Sequence, residues 1–233
     1  NRIDLIFGEA RFVDPHRLII QRAGTSTEHH AHVIVIAVGT EPARPAEIPF
    51  DDDTIIDTDG FLTLKHLPKS MVIVGGGVIG TEYASMLATM GVPVILIDKR
   101  PRLLEFVDAQ IIGALQRQMT DIGVTLCHEE EVVAIRKESD GQIMVSLTHR
   151  PPITATTLMY AIGRIGATKR LNLEAVGITP DTRGRVVVND HYQTSVPHIY
   201  AAGDVIGFPA LASTSMQQGR HAACHAFGHP DHT

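Results

Sequence analysis

Apolar and polar positions alternate through the first part of the chain. In IDLIF, residues Ile3, Leu5 and Phe7 fall on every second place; ARFV and RLIIQ repeat the habit on either side of a DPH turn. HVIVIAVG (residues 32–39) is instead an almost unbroken apolar run that ends on glycine. Period two predicts half-buried strands, and the unbroken run predicts a strand covered on both faces. EPARPAEIPF (41–50), with three prolines, reads as a crossover, and DTDGFLTLKHLP as a short helical segment that Pro68 stops.

From Ser70 the pattern changes period. MVIVG is an apolar strand, GGGVIG a turn, TEYASMLATM a stretch of helical period and VPVILID a further strand, which together predict a βαβ unit. A second amphipathic helix is expected over Asp108–Ile122, with Ile111, Leu115 and Ile122 on one face, before the short strand VTLC. VVAIRK, QIMVSL and ITATTLMYAIG predict three strands joined by a DG and a PP turn, a meander that returns the chain to a parallel sheet. After Arg164 the chain is loop-rich, with strands expected at RVVVN and HIYAAG and a helix over ALASTSMQQGRHAACHAF that finishes at Gly228. The expected organisation is one domain in two parts, residues 1–45 and 165–233, a crossover over 46–67, and a nucleotide domain inserted over 68–164.

The turn carries the first chemistry. Gly75-x-Gly77-x-x-Gly80 follows a strand and opens a helix, so Gly75 permits the tight turn, Gly77 lets backbone approach a pyrophosphate and Gly80 lets helix meet strand. Val78 and Ile79 complete this loop, and the helix N-terminus offers free N–H groups to phosphates. Asp98 closes the next strand, where an acid can accept both ribose hydroxyls and favour NAD. Lys99 and Arg100 follow at once and can hold the 2′-phosphate of NADP. Glu82 is expected on the first turn of the helix, where its charge suits the dipole.

A second constellation lies at YAAGDVIG. Gly203 allows a close turn, Asp204 places an acid at the end of a buried strand, and Pro209 leads into a helix from about Leu211. An acid so placed can accept a hydroxyl of a ribityl or ribose chain, and the helix start can face a flavin carbonyl. Gly39 and Thr40 end a buried strand in the same manner.

Composition narrows the classes. A net charge of −6 and the absence of any basic cluster beyond Lys99, Arg100 and Arg102 argue against nucleic acid. No apolar run approaches the roughly 20 residues that cross a bilayer, and no charged-then-apolar leader opens the sequence, so no membrane partner and a cytoplasmic setting are expected. The two cysteines, Cys127 and Cys224, have no CxxC spacing and read as reduced thiols, and the thirteen histidines show no metal-ligand spacing. The chain opens on Asn1 with a strand pattern that needs partners, and is expected to be part of a longer protein.

GGGVIGTEYA, YAIGR, YQTSVPHIYAAGDVIG and HVIVIAVGTEPARP together resemble the flavin-dependent pyridine nucleotide-disulfide oxidoreductase superfamily. Within it, GFPALAS, MQQGR and DKRPRLL are most similar to the soluble pyridine nucleotide transhydrogenase branch, with dihydrolipoamide dehydrogenases next. The resemblance implies an α/β fold: a Rossmann-like, doubly wound NAD(P)-binding domain with a β-meander, inserted in a partial FAD-binding domain. It implies that Gly75 to Gly80 bind the nicotinamide dinucleotide and that Ala161 and Gly163 line the nicotinamide side. Asp204 would hydrogen-bond the flavin ribityl chain, and Leu211, Ala212 and Ser213 would lie near the isoalloxazine. Glu82 would pair with a lysine beside the flavin, a partner that no segment of this chain supplies. Ala167 stands where the family has Asn.

The implied cofactors are NAD, NADP and FAD, and the implied parent is a homodimer or higher homo-oligomer that moves a hydride between NADPH and NAD+ through FAD. The family's own FAD fingerprint, redox CxxxxC and dimerisation domain have no counterpart in these 233 residues. This chain is expected to keep nicotinamide-nucleotide binding without turnover. The alternatives are part of a dihydrolipoamide dehydrogenase-like reductase and a non-enzymatic NAD(H)-binding module.

Overall fold

The computed structural model describes residues 3–230. It divides into two compact units, one made of the chain up to Glu41 together with Arg164 onward, the other of Pro42–Gly163.

The first unit opens with β1 (Glu9–Asp14), β2 (Arg17–Arg22) and β3 (Thr25–His30), an antiparallel sheet. Ala23 and Gly24, at φ of 46° and 82°, form the two-residue loop between β2 and β3, the backbone that matches strand twist. β3 reads TSTEHH and carries no apolar alternation; it is a strand because β2 offers it a complete ladder. The expected strand over IDLIF is absent, and Ile3, Leu5 and Phe7 are all exposed. β4 is only Ile34–Ile36, shorter than the apolar run that announced it, and β5 covers Thr40–Pro42.

The second unit holds β6 (Ile55–Asp57), β7 (Met71–Val74), α1 (Val78–Thr89), β8 (Val94–Asp98), α2 (Ala109–Asp121), β9 (Val124–His128), β10 (Val132–Lys137), β11 (Ile143–Leu147), β12 (Ile153–Ala155) and β13 (Thr157–Tyr160). Five strands form a parallel sheet in the order β6-β13-β7-β8-β9, and β10-β11-β12 form the antiparallel meander. Alternation sorts the strands onto two cores: Met71 and Ile73 join the helix side with Leu87, Leu96, Ile112 and Met119, while Val72 and Val74 join the meander side with Ile143, Val145 and Leu158. Each fully buried Ile or Leu contributes roughly 1.5–3 kcal/mol, so the two faces together hold the sheet in place.

Several local expectations change here. ITATTLMY is two strands, because the chain leaves the meander at Thr156 and re-enters as β13 between β6 and β7. β6 lies inside the stretch read as a crossover, which therefore belongs to the sheet of this unit. On α2, capped by the Asp108 carboxylate on the N–H groups of Gln110 and Ile111, the buried positions are Ile112 and Met119, with Ile111 exposed. The buried stripe is Ile112, Leu115 and Met119 in place of Ile111, Leu115 and Ile122, because Ile112 and Met119 join the core that also holds Leu103 and Val124, with Leu115 packed against it.

The chain re-enters the first unit with β14 (Arg164–Gly166), β15 (Ile199–Ala201) and α3 (Ala212–Ala226). β15 pairs in parallel with β4, and β14 with β5. RVVVN is not a strand; Val186 is buried and its N–H meets the Val205 carbonyl, while Val187 is exposed. The core of this unit gathers Phe12, Ile34, Ile36, Leu173, Ile199 and Val205. No helix among the described residues is long and apolar enough to cross a membrane.

Candidate functional site

In the parallel sheet, β8 and β9 lie on one side of β7, and β13 and β6 on the other. The chain thus reverses direction of growth between β7 and β13, and ligands of open parallel sheets bind in the crevice beyond the carboxyl ends of strands at such a point. Gly75 follows β7 there with φ of 110°, and a Cβ on it would stand 2.6 Å from the Ala161 carbonyl oxygen. Ala161 is held beside it by an N–H bond to Val74 O at 2.7 Å, and Gly163 follows at φ of 129°. The loop and the residues expected on the nicotinamide side are neighbours.

The other glycines divide the work. A Cβ on Gly80 would lie 1.9 Å from Gly75 O, so α1 rests directly on the turn. A Cβ on Gly76 would strike Leu103 Cδ2 and the Asp98 carboxylate. Gly77, the residue that caps α1, is different: nothing lies within 4 Å of the position its Cβ would take. α1 begins at Val78, so Val78, Ile79 and Gly80 present its first N–H groups; its N-cap makes no side-chain bond and its first turn holds no acid. An open approach at Gly77 onto unsatisfied N–H groups is the form an anion seat takes. Glu82 is the fifth residue of the helix, exposed and past the first turn, so the expected dipole contact is not made.

Asp98 is nearly fully buried at the end of β8. Its Oδ2 accepts from Gly76 N–H and from Arg100 Nη2 at 2.6 Å; its Oδ1 accepts from Arg100 N and Nε, each at 2.8 Å. Burial pushes the carboxyl up, but the hydrogen bonds from Arg100 and the backbone outweigh it and hold the pKa below the usual carboxylate range. The same pair raises the Arg100 guanidinium. Lys99 beside it is exposed. On the neighbouring strand, His128 pairs in register with Asp98; burial lowers its pKa, and among the described residues its buried Nδ1 has no hydrogen-bond partner.

In the first unit, Gly39, Gly203 and Asp204 meet around a concavity of about 260 Å³ that Val35, Ala37 and Ser215 also line. Gly203 has φ of 82°, and its N–H donates to the buried Gln218 Oε1 at 2.8 Å. Walls of glycine and alanine let a ligand approach backbone. The volume is below the roughly 300–1,000 Å³ of complete ligand pockets. Thr40 is used otherwise: its hydroxyl and carbonyl oxygens accept from Arg164 Nε at 2.9 Å and Nη2 at 2.8 Å. Leu211, Ala212 and Ser213 are exposed at the start of α3, with Leu211 as N-cap.

Sequence reasoning did not single out Gly76, Ser215 or Gln218. The run of three glycines was the signal for Gly76, and the MQQGR motif contained Gln218 without giving it a role; Ser215 enters only through the pitch of α3.

A parallel sheet with a glycine turn and an uncapped helix at its switch point defines a dinucleotide-binding protein of the Rossmann-like class. A family model described as pyridine nucleotide-disulphide oxidoreductase matches residues 1–219, and the chain belongs to that family. It is 49% identical over 232 residues, 99% of this chain and 49% of the relative, to the soluble pyridine nucleotide transhydrogenase of Mycobacterium bovis BCG. The transhydrogenase of Vibrio parahaemolyticus is 43% identical over 224 residues, 96% of this chain and 48% of the relative. Among solved structures, the HOCl-induced flavoprotein disulfide reductase RclA of Escherichia coli superposes with a TM-score of 0.89 at 30% identity, over 99% of this chain and 52% of that one. LpdA of Mycobacterium tuberculosis gives 0.89 at 28%, over 97% and 50%. The chain spans about half the length of the curated relatives it matches. It falls in the FAD- and NAD(P)-binding oxidoreductase superfamily that includes transhydrogenases and disulfide reductases.

Proposed function

We propose that this chain is the nicotinamide-dinucleotide-binding part of a flavin-dependent soluble transhydrogenase, whose whole carries hydride between NADPH and NAD+. The observation that carries the reading is the open backbone at Gly77 above the unsatisfied first turn of α1, with Ala161 packed against Gly75. In this reading residues 42–163 are the NAD(P)-binding domain, and the remainder is part of a FAD-binding domain. Gly77, Val78, Ile79 and Gly80 seat the pyrophosphate through backbone N–H groups; Ala161 and Gly163 border the nicotinamide. Gly39, Gly203 and Asp204 border a portion of the flavin nucleotide, with the Asp204 carboxylate accepting a ribityl hydroxyl. Leu211, Ala212 and Ser213 at the start of α3 face the isoalloxazine.

Redox chemistry belongs to the bound flavin and nicotinamide rings. The chain's residues bind and orient these groups and limit water, and no side chain is needed as nucleophile or base. The parent is read as a cytoplasmic homodimer or higher homo-oligomer.

A second reading, a disulfide reductase, is supported by the 30% identity to RclA. The 49% identity to transhydrogenases over the same residues favours the first. NADH fluorescence titration of the purified chain tests dinucleotide binding, and saturable enhancement abolished by Gly77→Val is expected. An unchanged signal in that variant would remove the proposed site. The visible absorption spectrum of the same sample tests flavin retention.

A further inference from the structure

The glycine turn is backed by residues that the reading above leaves without a role. A Cβ on Gly76 would strike Leu103 Cδ2, so the fully buried Leu103 occupies the space that the missing side chain leaves. Leu103 lies between β8 and α2, just before Leu104, whose φ of 44° bends the chain. Its N–H donates to Gln116 Oε1 on α2 at 3.4 Å, and Gln116 Nε2 lies 3.2 Å from Nε2 of His128 at the end of β9. A line of contacts thus runs from His128 through Gln116 and Leu103 to the turn.

Donors and acceptors fix how this line is wired. A backbone N–H only donates, so the Gln116 amide turns its oxygen to Leu103 and its NH2 group to the imidazole. His128 Nε2 then accepts, and the ring proton sits on Nδ1, which is buried and without a hydrogen-bond partner among the described residues. A second proton, on Nε2, would face the amide NH2 donor to donor. Turning the amide over only moves that conflict to Leu103 N–H. The network is complete with neutral His128 and with no other state of the ring. Around it, burial is the largest influence and disfavours the imidazolium, as does Arg150; Asp98, Glu129 and the Arg100 backbone favour it, and the balance leaves the pKa lowered.

Resting on the dinucleotide reading above, we propose that Gln116 is a positioning residue for the dinucleotide turn, holding Leu103 against Gly76, and that His128 switches it. Neutral His128 keeps the turn in its binding form, and protonated His128 releases Leu103. Nucleotide binding and protonation of His128 then oppose one another.

Calorimetric titration of the 233-residue chain with NAD+ between about pH 5.5 and 8 tests this, in wild type, His128→Gln and Gln116→Glu. NAD+ carries no phosphate monoester, the phosphate form that titrates near pH ~6. Wild-type affinity is expected to hold above about pH 6.5 and to fall by about 3–10-fold below it, the worth of one hydrogen bond. His128→Gln takes no proton and is expected to lose this fall. Gln116→Glu places a carboxylate that accepts from Leu103 N–H and from an imidazolium alike, so its affinity is expected to hold or rise as pH falls. Far-ultraviolet circular dichroism at each pH separates these effects from unfolding. Proton NMR of the His128 ring gives the reciprocal readout, in which saturating NAD+ lowers its pKa further. A fall that His128→Gln shares, a Gln116→Glu slope identical to wild type, or a His128 titration unmoved by NAD+ overturns the proposal and leaves the dinucleotide site standing. Wild type that binds no NAD+ at any pH overturns the dinucleotide reading, and the proposal with it.

Discussion

Replacing Gly80 by alanine adds a single methyl group where the structure has no room for it. The Cβ would stand 1.9 Å from the Gly75 carbonyl oxygen, against an ordinary contact of 3.4 Å or more, so one of the two must move by about 1.5 Å. Neither is the free end of a side chain. Gly75 O belongs to the turn that follows β7, and Gly80 is locked in α1, with Ala84, Leu87 and Ala88 packed in the core below it. Overpacking against backbone costs up to about 3 kcal/mol, and the helix preference of alanine over glycine returns about 1 kcal/mol. A net loss of about 2 kcal/mol is expected, and in a chain of this size that lowers the melting temperature by roughly 4–8 °C. Far-ultraviolet circular dichroism melts of wild type, Gly80→Ala and Gly77→Ala measure it. Gly77→Ala meets no atom within 4 Å and should melt close to wild type while losing dinucleotide affinity. A Gly80→Ala protein that melts with wild type would refute the idea that α1 rests on the turn through this contact.

Ile73→Ala empties a fully buried position on the helix side of the sheet and should cost about 3–4 kcal/mol in urea unfolding. Arg44→Gln removes the cation that bridges Asp52 and the buried Asp57, and should cost about 1–2 kcal/mol at neutral pH. Burial raises the Asp57 carboxyl, but backbone bonds from Gly60 and Asp59 and the Arg44 contact hold its pKa below normal, so its stabilisation is present above the unfolded value and lost as pH falls. The variant should therefore begin acid unfolding at a higher pH than wild type. His128→Gln addresses a histidine whose pKa is lowered by burial: the unfolded chain takes its proton first, and wild type loses stability as pH falls from about 6.5. Urea midpoints at successive pH values should fall less steeply in the variant over that window.

What the sequence disclosed was what is local. The glycine turn is legible because a positive φ at Gly75 and the close contact of Gly80 with Gly75 both arise within six residues. β7, α1 and β8 follow from periodicity for the same reason. β3 was invisible because TSTEHH has polar residues on both faces and exists only by its ladder to β2. IDLIF and RVVVN show the converse, strand-like side chains to which the structure gives no ladder. β6 hides among aspartates because its burial comes from β13, about a hundred residues later. At the site, the acid and the cation were legible as residue types, but which partner each one spends its hydrogen bonds on depends on the backbone bend from Asp98 to Arg100.

Residues 42–163 interrupt the first unit between two strands that must pair, since Ile34 lies opposite Ile199. Their two ends meet: Ala43 N–H donates to Gly163 O at 3.0 Å. Folding of this central segment therefore brings together the stretches that precede and follow it. The loop that β4 and β15 must close shrinks from 165 residues to about 43, an entropic saving of about 1 kcal/mol. During synthesis β1 to β4 are made before the insertion, yet β4 gains its partner only after the whole insertion has been made. The natural order of assembly is thus from the middle outward, with the stretch that precedes the insertion among the last to acquire its native core.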